Sequence, residues 1–163
     1  MNSDLFKRYF FIVGIISANI IVDQFAKYIV RSHVNEFEII PLVSNYLILT
    51  RIENSGAFLS LGDSLPSFIK TILLSILPSF VIFAGLVFLF VKTHLSGFLI
   101  TGLCFILGGG IGNLYDRIAY GSVTDFFHID FVIFQTGIFN LADVSIMIGM
   151  AMILIDSYFN NKI

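Results

Sequence analysis

Residues 137–150 read GIFNLADVSIMIGM, and the apolar run continues through AMILI to Ile155. About 20 mostly apolar residues are long enough to cross a bilayer core as a helix, so this stretch predicts a membrane span. Its first turns nevertheless carry Asn140 and Asp143, which are three residues apart and therefore lie on one helical face. At about 1.5 Å of rise per residue, a helix starting at Gly137 places Asp143 roughly 9 Å below its start. The sequence thus predicts a carboxylate within the membrane but close to one surface.

The composition of the whole chain is typical of an integral membrane protein. Of its 163 residues, 57% are hydrophobic and 12% are charged, and the mean hydropathy is +0.94. Soluble proteins carry about 25% charged residues, and one small core cannot hide so much apolar surface. A net charge of −2 offers no basic surface for nucleic acid. The single cysteine, Cys104, excludes an intrachain disulfide.

Four segments are long and apolar enough to span a bilayer. They lie at about 9–30, 68–91, 95–114 and 137–155, and they leave two longer loops at about 31–67 and 115–136. An even number of spans puts both termini on one side, and the Lys7–Arg8 pair before the first span favours the cytoplasm for that side. We therefore expect a single membrane domain over 1–163, with both long loops on the opposite side.

The first long loop has strand character. Its stretch FEIIPLVSNYLILTRIENSGAFLSLG, at 37–62, is rich in β-branched and aromatic residues and is punctuated by Pro41, by SN at 44–45 and by NSG at 54–56. We expect a small extracytoplasmic β-sheet in this loop, resting on the membrane surface. The predicted fold class is therefore an α-helical integral membrane protein with four transmembrane helices and that sheet.

Charged side chains inside the first span require an explanation, because a charge at mid-bilayer costs roughly 2.5–3.5 kcal/mol on insertion scales. Asp23 and Lys27 are four residues apart with the acid first, the favourable order for a helical ion pair. Two interpretations remain open at this point. The pair could be a structural clamp near one end of the helix, or it could take part directly in chemistry.

The third span ends in GGGIGNLYDR, at 108–117. Gly108 and Gly112 have the small-xxx-small spacing that lets another helix backbone approach closely. Asn113 and Arg117 are also four residues apart and lie on one helical face. They project from the end of a helix that we expect to be tightly packed.

Two aspartates lie on the same predicted side of the membrane, Asp125 in VTDFF at 123–127 and Asp143 at the start of the fourth span. Two close carboxylates cannot both ionise cheaply, so they share a proton. The ionised one can deprotonate a water while the protonated one donates to the carbonyl oxygen under attack. The residues alone leave a second interpretation open, in which these aspartates form a salt-bridge network with Lys27, Arg51 and Arg117.

Other classes of function fit the sequence less well. His33, His94 and His128 fall in different loops without ligand spacing, so we expect no metal site. A proton- or ion-conducting subunit should place polar residues at several depths, yet the inner halves of the second, third and fourth spans are nearly bare of charge. A scaffold that packs through its glycines would leave the acidic pair unexplained.

Five sequence blocks together resemble the motif set of lipoprotein signal peptidase, also called signal peptidase II, over nearly the whole chain. They are DQFAK (23–27), RIENSGAF (51–58), GGGIGNLYDR (108–117), VTDF (123–126) and FNLADVS (139–145). The resemblance implies a bacterial inner-membrane aspartic endopeptidase that removes signal peptides from prolipoproteins by cleaving just before a diacylglyceryl-modified cysteine. It implies a monomer without a cofactor, with those prolipoproteins and membrane lipid as its partners and its active site toward the outer face.

The same resemblance implies that Asp125 and Asp143 are the catalytic dyad. It assigns supporting and substrate-binding roles to Asn54, Gly56, Asn113, Arg117, Asn140, Asp23 and Lys27. In this assignment the two residues of the NSG turn belong to a sheet that cradles the substrate, and the two residues of the first span lie at the edge of the site. Glu53 departs from the family pattern, in which a small or hydrophobic residue or a second amide precedes the asparagine.

Overall fold

The computed structural model describes residues 3–44, 46–56, 65–131 and 133–160. Within them, four helical segments are long and apolar enough to cross a membrane, as the sequence predicts. The element order is α1 (Ser3–His33), β1 (Ile40–Val43), β2 (Leu47–Asn54), α2 (Ser67–Thr71), a π-helical turn (Ile72–Ile76), α3 (Leu77–Val91), α4 (Gly97–Tyr120), β3 (Val123–Ile129) and α5 (Leu141–Asn160). The second span consists of α2, the π turn and α3.

The π turn in the second span lies directly before Pro78, the second residue of α3. A proline in a helix donates no amide hydrogen, and its ring collides with the carbonyl of the residue four positions earlier, here Leu74. A π turn widens the helix by one residue. We attribute the position of the π turn to this clash between the Pro78 ring and the Leu74 carbonyl.

Two spans extend further toward the sheet than the hydropathy limits suggest. α1 continues to His33 and α4 to Tyr120, whereas the sequence placed their ends near residues 30 and 114. α4 stops at Gly121, whose φ of 81° lies in the left-handed region that glycine adopts without strain. Because α4 is longer than expected, Arg117 belongs to its last turn rather than to the third loop.

α5 begins at Leu141 rather than at Gly137. The segment before it runs beside β3, since the Phe139 amide donates to Phe127 O at 2.8 Å and the Thr136 amide donates to Ile129 O at 2.9 Å. A backbone held in this way is not free to begin the helix. The expected depth of roughly 9 Å for Asp143 is therefore wrong, because Asp143 lies in the first turn of α5.

The sheet has three antiparallel strands in the order β1-β2-β3. β1 and β2 come from the first long loop, as predicted, and β3 comes from the third loop. Leu49 and Phe126 from the sheet pack against Val30 and Val34 at the end of α1. The sheet is thereby fixed to the ends of the helices, and Asp125 on β3 lies beside the start of α5.

Glycines allow the spans to approach each other closely. A Cβ atom at Gly108 would lie 2.7 Å from Asn19 Cβ, and one at Gly112 would lie 2.6 Å from Asp23 Oδ2. These two glycines therefore pack α4 against α1, as their spacing predicts. On another face of α4, a Cβ at Gly102 would lie 2.8 Å from Gly149 O, and a Cβ at Gly149 would collide with Gly102 O. Both helix contacts thus require residues without side chains.

The crossing of α4 and α5 generates a stability prediction. We expect Gly149→Ala to lower the thermal unfolding midpoint in detergent, because the new methyl group meets a backbone oxygen and overpacking typically costs about 1–3 kcal/mol. The matched control is Gly14→Ala in α1, where a Cβ has no atom within 4 Å. Equal midpoints for the parent and Gly149→Ala would contradict the close crossing.

Candidate active site

Asn140 contacts both of the aspartates that were expected to converge. Its Nδ2 atom donates to Asp125 Oδ1 at 2.6 Å, and its backbone N–H donates to Asp143 Oδ2 at 3.1 Å. The Asp143 amide donates in return to Asn140 Oδ1 at 3.0 Å. An N-terminal residue and an acid three positions later that satisfy each other's amides form a capping box. The cap that starts α5 therefore also joins the two carboxylates.

Asn54 holds the second oxygen of Asp125. Its Nδ2 atom donates to Asp125 Oδ2 at 2.9 Å, while its Oδ1 atom accepts the Gly56 amide at 3.0 Å, which fixes the orientation of the side-chain amide. Gly56 O accepts in turn from Arg117 Nη2 at 3.1 Å. Asn54 therefore contacts a carboxylate directly, a role that the sequence resemblance did not assign to it.

Asn113 connects Asp143 to the buried amine of Lys27. Asn113 Nδ2 donates to Asp143 Oδ1 at 2.8 Å, and Asn113 Oδ1 accepts from Lys27 Nζ at 2.9 Å. Because an ammonium group can only donate hydrogen bonds, it holds the oxygen of the asparagine toward itself and the amide nitrogen toward Asp143. Lys27 thus influences the aspartate through an intermediate side chain and does not touch it.

A buried ionic cluster lies behind this part of the site. Lys27, which is fully buried, pairs with Asp23 at 2.8 Å and with Asp116 at 2.9 Å. Asp116 also pairs with Arg31 at 3.0 Å, so two acids face two bases. Asp23 Oδ1 accepts the amide of Ala142, in the first turn of α5, at 2.9 Å. These contacts support the structural clamp, and they extend it to the helix that carries Asp143.

The salt-bridge interpretation of Asp125 and Asp143 does not hold in the part of the chain that the structure describes. There, Lys27 pairs with Asp23 and Asp116, Arg51 pairs with Glu53 at 3.2 Å, and Arg117 binds a backbone oxygen. Neither Asp125 nor Asp143 forms an ion pair among these residues. Both are held instead by neutral amides, which leaves their charges uncompensated at close range.

Asp125 titrates well above an ordinary aspartate. Burial raises the pKa of its carboxyl group to about 6, and the nearby charge of Asp143 acts in the same direction. The hydrogen bonds from Asn54 and Asn140 favour the ionised form and therefore lower this pKa. A buried carboxyl with a specific acidic neighbour is a common feature of sites that transfer protons.

The two aspartates open into different spaces. Asp125 lines a cavity of about 290 Å³ beside the sheet. Asp143 lines an apolar groove of about 650 Å³ along α5, together with side chains that include Phe139, Val144, Met147 and Ile148. Residues 136–137 border both spaces. A substrate could therefore reach the acidic pair from the sheet and from the apolar side of α5.

Several residues around the site were not assigned to it from the sequence. Gln24 Nε2 donates to Asp23 and to Asp116, each at 3.1 Å. Asp116 pairs with Lys27 and Arg31, and Arg31 Nε donates to Thr124 Oγ1 at 2.7 Å. Glu53 was noted only as a departure from the family pattern. It accepts from Ser122 Oγ at 2.9 Å and from Thr124 Oγ1 at 3.0 Å, so it ties β2 to β3 on the side away from Asp125. The signal that could have revealed this is the pairing of Glu53 with Thr124 across the sheet, which depends on a strand that the sequence did not predict.

Among the described residues, no group of His, Cys, Asp and Glu is arranged to hold a metal ion.

Known proteins resemble this chain over most of its length. Residues 15–159 match the family model described as Signal peptidase (SPase) II. The chain is 33% identical to the lipoprotein signal peptidase of Brevibacillus brevis, with 94% of this chain and 97% of that relative covered. It is 41% identical to the lipoprotein signal peptidase of Chlorobium phaeobacteroides, with 83% and 88% covered.

Solved structures show the same fold. A bacterial membrane enzyme solved by the in meso method superposes with a TM-score of 0.82 at 25% identity, covering 92% of this chain and 88% of that one. A second structure with a title of the same kind gives a TM-score of 0.79 at 26% identity, covering 89% and 90%. The comparisons confirm the resemblance drawn from the five sequence blocks and the predicted fold class.

The buried cluster generates a second stability prediction. Lys27→Met leaves Asp23 and Asp116 buried without their shared cation, and breaking a buried ion pair from one side typically costs about 3–5 kcal/mol. We expect a large loss of folded protein and a clearly lower unfolding midpoint in detergent. Lys92→Met, which changes an exposed lysine, is the control. A midpoint equal to that of the parent would show that the cluster does not stabilise the fold.

Proposed function

We propose that Asp125 and Asp143 are the catalytic pair of this chain, which belongs to the signal peptidase II family. As a member of that family, the chain is an aspartic endopeptidase of the membrane that processes prolipoproteins. The observation that carries the proposal is the double contact of Asn140, at 2.6 Å from Asp125 and 3.1 Å from Asp143. One residue that holds both carboxylates fixes their relative position, which a proton-sharing pair requires.

The two aspartates have different surroundings, which suits them to different roles. Asp143 accepts hydrogen bonds from Asn113 and from the Asn140 amide, and it lies at the N-terminal end of α5, where the helix dipole favours negative charge. Asp125 is 4% exposed, and its pKa is raised to about 6 by burial. Asp143 therefore acts as the general base, and Asp125 is the acid that holds a proton at rest.

The hydrolysis follows from these roles. The Asp143 carboxylate removes a proton from a water molecule, whose oxygen attacks the carbonyl carbon of the scissile peptide bond. Asp125 donates its proton to the carbonyl oxygen, and a neutral tetrahedral intermediate forms. When the C–N bond breaks, the proton held by Asp143 passes to the leaving nitrogen and Asp125 recovers its proton. The products are a carboxylic acid and an amine, and both aspartates return to their starting states.

The apolar groove beside Asp143 supports a lipid-modified substrate. The groove lies on a membrane-spanning helix and is lined by aromatic and aliphatic side chains. Diacylglyceryl chains can enter it sideways from the bilayer, which brings the peptide bond just before the modified cysteine to the acidic pair. Anchoring in the membrane also replaces a search in three dimensions by positioning near a surface, which favours reaction through proximity.

The same proposal includes the arrangement in the membrane. Arg8 Nη2 donates to Leu89 O at 2.9 Å, and Ser96 contacts Asp156, so both terminal helices meet the α3–α4 connection at the end away from the sheet. We infer a single membrane domain, active as a monomer in the bacterial inner membrane, with both termini in the cytoplasm. The acidic pair and the sheet then face outward, where the substrate's modified cysteine is anchored.

Removing either carboxylate tests the catalytic pair. We expect Asp125→Asn and Asp143→Asn each to lower the cleavage rate of a diacylglyceryl-modified prolipoprotein in detergent by at least about 10³-fold, because each step needs one acid and one base. Asp130→Asn, which alters an aspartate of the same region outside the site, is the matched control. Cleavage at the parent rate by either dyad variant, with unchanged unfolding midpoints, would refute the assignment.

The pH dependence tests which aspartate carries the proton. Because the acid role of Asp125 requires its protonated form, kcat/KM should fall as the pH rises through about 6. Asn54→Leu removes a hydrogen bond that favours the ionised form, while keeping the site dry, so the falling limb should move to higher pH. A limb that stays in place or moves to lower pH in this variant would contradict the assignment of the acid to Asp125.

A further inference from the structure

A hairpin follows β3 and has an apolar turn. Asp130 and Gln135 at its base pair as an antiparallel bridge, and the residues between them read FVIF, at 131–134. Gly, Pro, Asn, Asp and Ser dominate turns because of their backbone and hydrogen-bonding preferences, yet none of them occurs here. Local turn chemistry therefore does not explain these side chains. We call the three described apolar residues of this turn the hairpin tip: Phe131, Ile133 and Phe134.

The hairpin tip is exposed on the surface of the protein. Phe131 is 54%, Ile133 is 96% and Phe134 is 63% exposed. An isoleucine with so much free surface makes almost no contact within the described chain, so packing in the fold does not account for it. Single exposed apolar residues are common, whereas a contiguous group marks a surface that interacts with something else.

The backbone of the tip forms hydrogen bonds within the turn. The Phe131 amide donates to Phe134 O at 2.9 Å, and the Ile133 amide donates to Phe131 O at 2.7 Å. At the base, Gln135 Nε2 donates to Asp130 Oδ2 at 3.0 Å. A backbone polar group that enters hydrocarbon without a partner is costly, and these internal bonds lower the cost of moving the tip from water into an apolar medium.

The hairpin tip lies beside the membrane-spanning part of α5. Phe134 borders the apolar groove of about 650 Å³ that contains Asp143, which we call the α5 groove. The same groove is bordered by Met147 and Ala151, and Ala151 lies roughly 15 Å along the axis from the start of α5. Met147 is exposed on a span and therefore faces lipid. The tip thus continues the lipid-facing surface of α5.

The surroundings of the tip suit the boundary between lipid and water. The Tyr46 ring centroid lies 5.8 Å from that of Phe131, and Tyr46 O accepts the Asp130 amide at 2.9 Å. Tyrosine is enriched at this boundary, where its ring contacts acyl chains and its hydroxyl group contacts headgroups. No charged residue occurs between Asp130 and Asp143, so this segment can enter lipid without burying a charge.

We propose that the hairpin tip is inserted among the acyl chains of the leaflet on the sheet side of the membrane, and that it keeps the mouth of the α5 groove within those chains. The insertion attaches the sheet to lipid directly, in addition to its packing on the helix ends. The statement about the groove mouth rests on the proposed function, in which diacylglyceryl chains enter that groove.

The size of the tip fits lipid better than a protein partner. Two residues of extended chain beyond the base of the hairpin reach about 7 Å, which matches the depth of about 5–10 Å to which interfacial elements are buried. A stable protein interface needs about 800 Å² from each partner, far more than three side chains supply. Acyl chains need no matching surface, so a small apolar tip is sufficient.

Tryptophan fluorescence tests the insertion, because the chain contains no tryptophan. Ile133→Trp is reconstituted in vesicles of phosphatidylcholine and phosphatidylglycerol whose acyl chains carry bromine, a contact quencher, near the carbonyl end. The aqueous control is Glu36→Trp, at an exposed acid between α1 and β1. The lipid control is Phe80→Trp, at an exposed side chain of α3. We expect bromine to quench Ile133→Trp at least about threefold more than Glu36→Trp, with emission shifted to the blue as in Phe80→Trp.

Two outcomes overturn the insertion. Emission typical of water in Ile133→Trp, with quenching no greater than in Glu36→Trp, places the tip in the aqueous phase. Blue-shifted emission without bromine quenching shows that protein covers the tip, as in a dimer. Phe134→Trp is a second probe that should be quenched in the same way, and unfolding midpoints equal to that of the parent establish that each variant is folded.

Ile133→Asp tests the role at the groove mouth. It puts a charge in the tip, while Ile133 itself does not border the α5 groove. We expect kcat/KM for a diacylglyceryl-modified prolipoprotein to fall at least about fivefold in vesicles and less than about twofold in detergent, because a micelle rearranges around a charge more easily than a bilayer. Ile133→Leu keeps the tip apolar and should retain the parent rate. Parental activity of Ile133→Asp in vesicles, or equal losses in both media, overturns this role.

A failure of the proposed function would look different. If the parent protein cleaved no prolipoprotein in either medium, the proposed function would be wrong, and the quenching of Ile133→Trp would still decide the insertion. If the parent cleaved its substrate while bromine left Ile133→Trp unquenched, the proposed function would stand and only the insertion would be refuted.

Discussion

The buried ammonium group of Lys27 is the constraint on which the rest of the site depends. An ion of this kind loses its hydration on folding, at an effective cost of several kcal/mol, so its surroundings must supply compensating charge and hydrogen bonds. Asp23, Asp116 and Asn113 do so at 2.8 to 2.9 Å. Asp116 ties α1 to α4, Asp23 ties α1 to α5 through the Ala142 amide, and Asn113 links Lys27 to Asp143. The stability of the fold and the position of Asp143 therefore depend on one network.

The close approach of the spans makes that network possible. Short polar side chains can reach between helices only when the backbones are near each other, and Gly112 lets Asp23 approach α4 closely. Small residues at helix contacts are a general solution in membranes, where packing and polar contacts replace the hydrophobic effect between helices. Here they also determine which polar atoms can meet. The glycines of GGGIG thus shape the site without contributing a functional group.

The sequence predicted the features that depend on local composition, and it missed those that depend on distant pairing. Apolar length located the four spans, and the block pattern singled out Asp125 and Asp143, which Asn140 joins in the structure. The start of α5 was misplaced because residues 136–139 are held by β3, a contact that local periodicity does not encode. The strand β3 was also missed, because the polar residues in VTDFFHI contact residues that are distant in the sequence, and the local pattern does not show those contacts. Asn54 was assigned to the sheet, but its hydrogen bond to Asp125 could not be predicted without β3, the strand that carries Asp125.

Asn140 illustrates how two demands can narrow the choice at one position to a single amino acid. As a helix cap alone, serine, threonine, aspartate and asparagine are all acceptable. The contact with Asp125 requires a side-chain donor, whereas the contact with the Asp143 amide requires a side-chain acceptor. An aspartate lacks the donor when ionised and would add a third negative charge, and a single hydroxyl group is too short to span both neighbours. Only the asparagine amide combines a donor for Asp125 with an acceptor for the Asp143 amide. A position that accepts several amino acids in most helices therefore requires asparagine here.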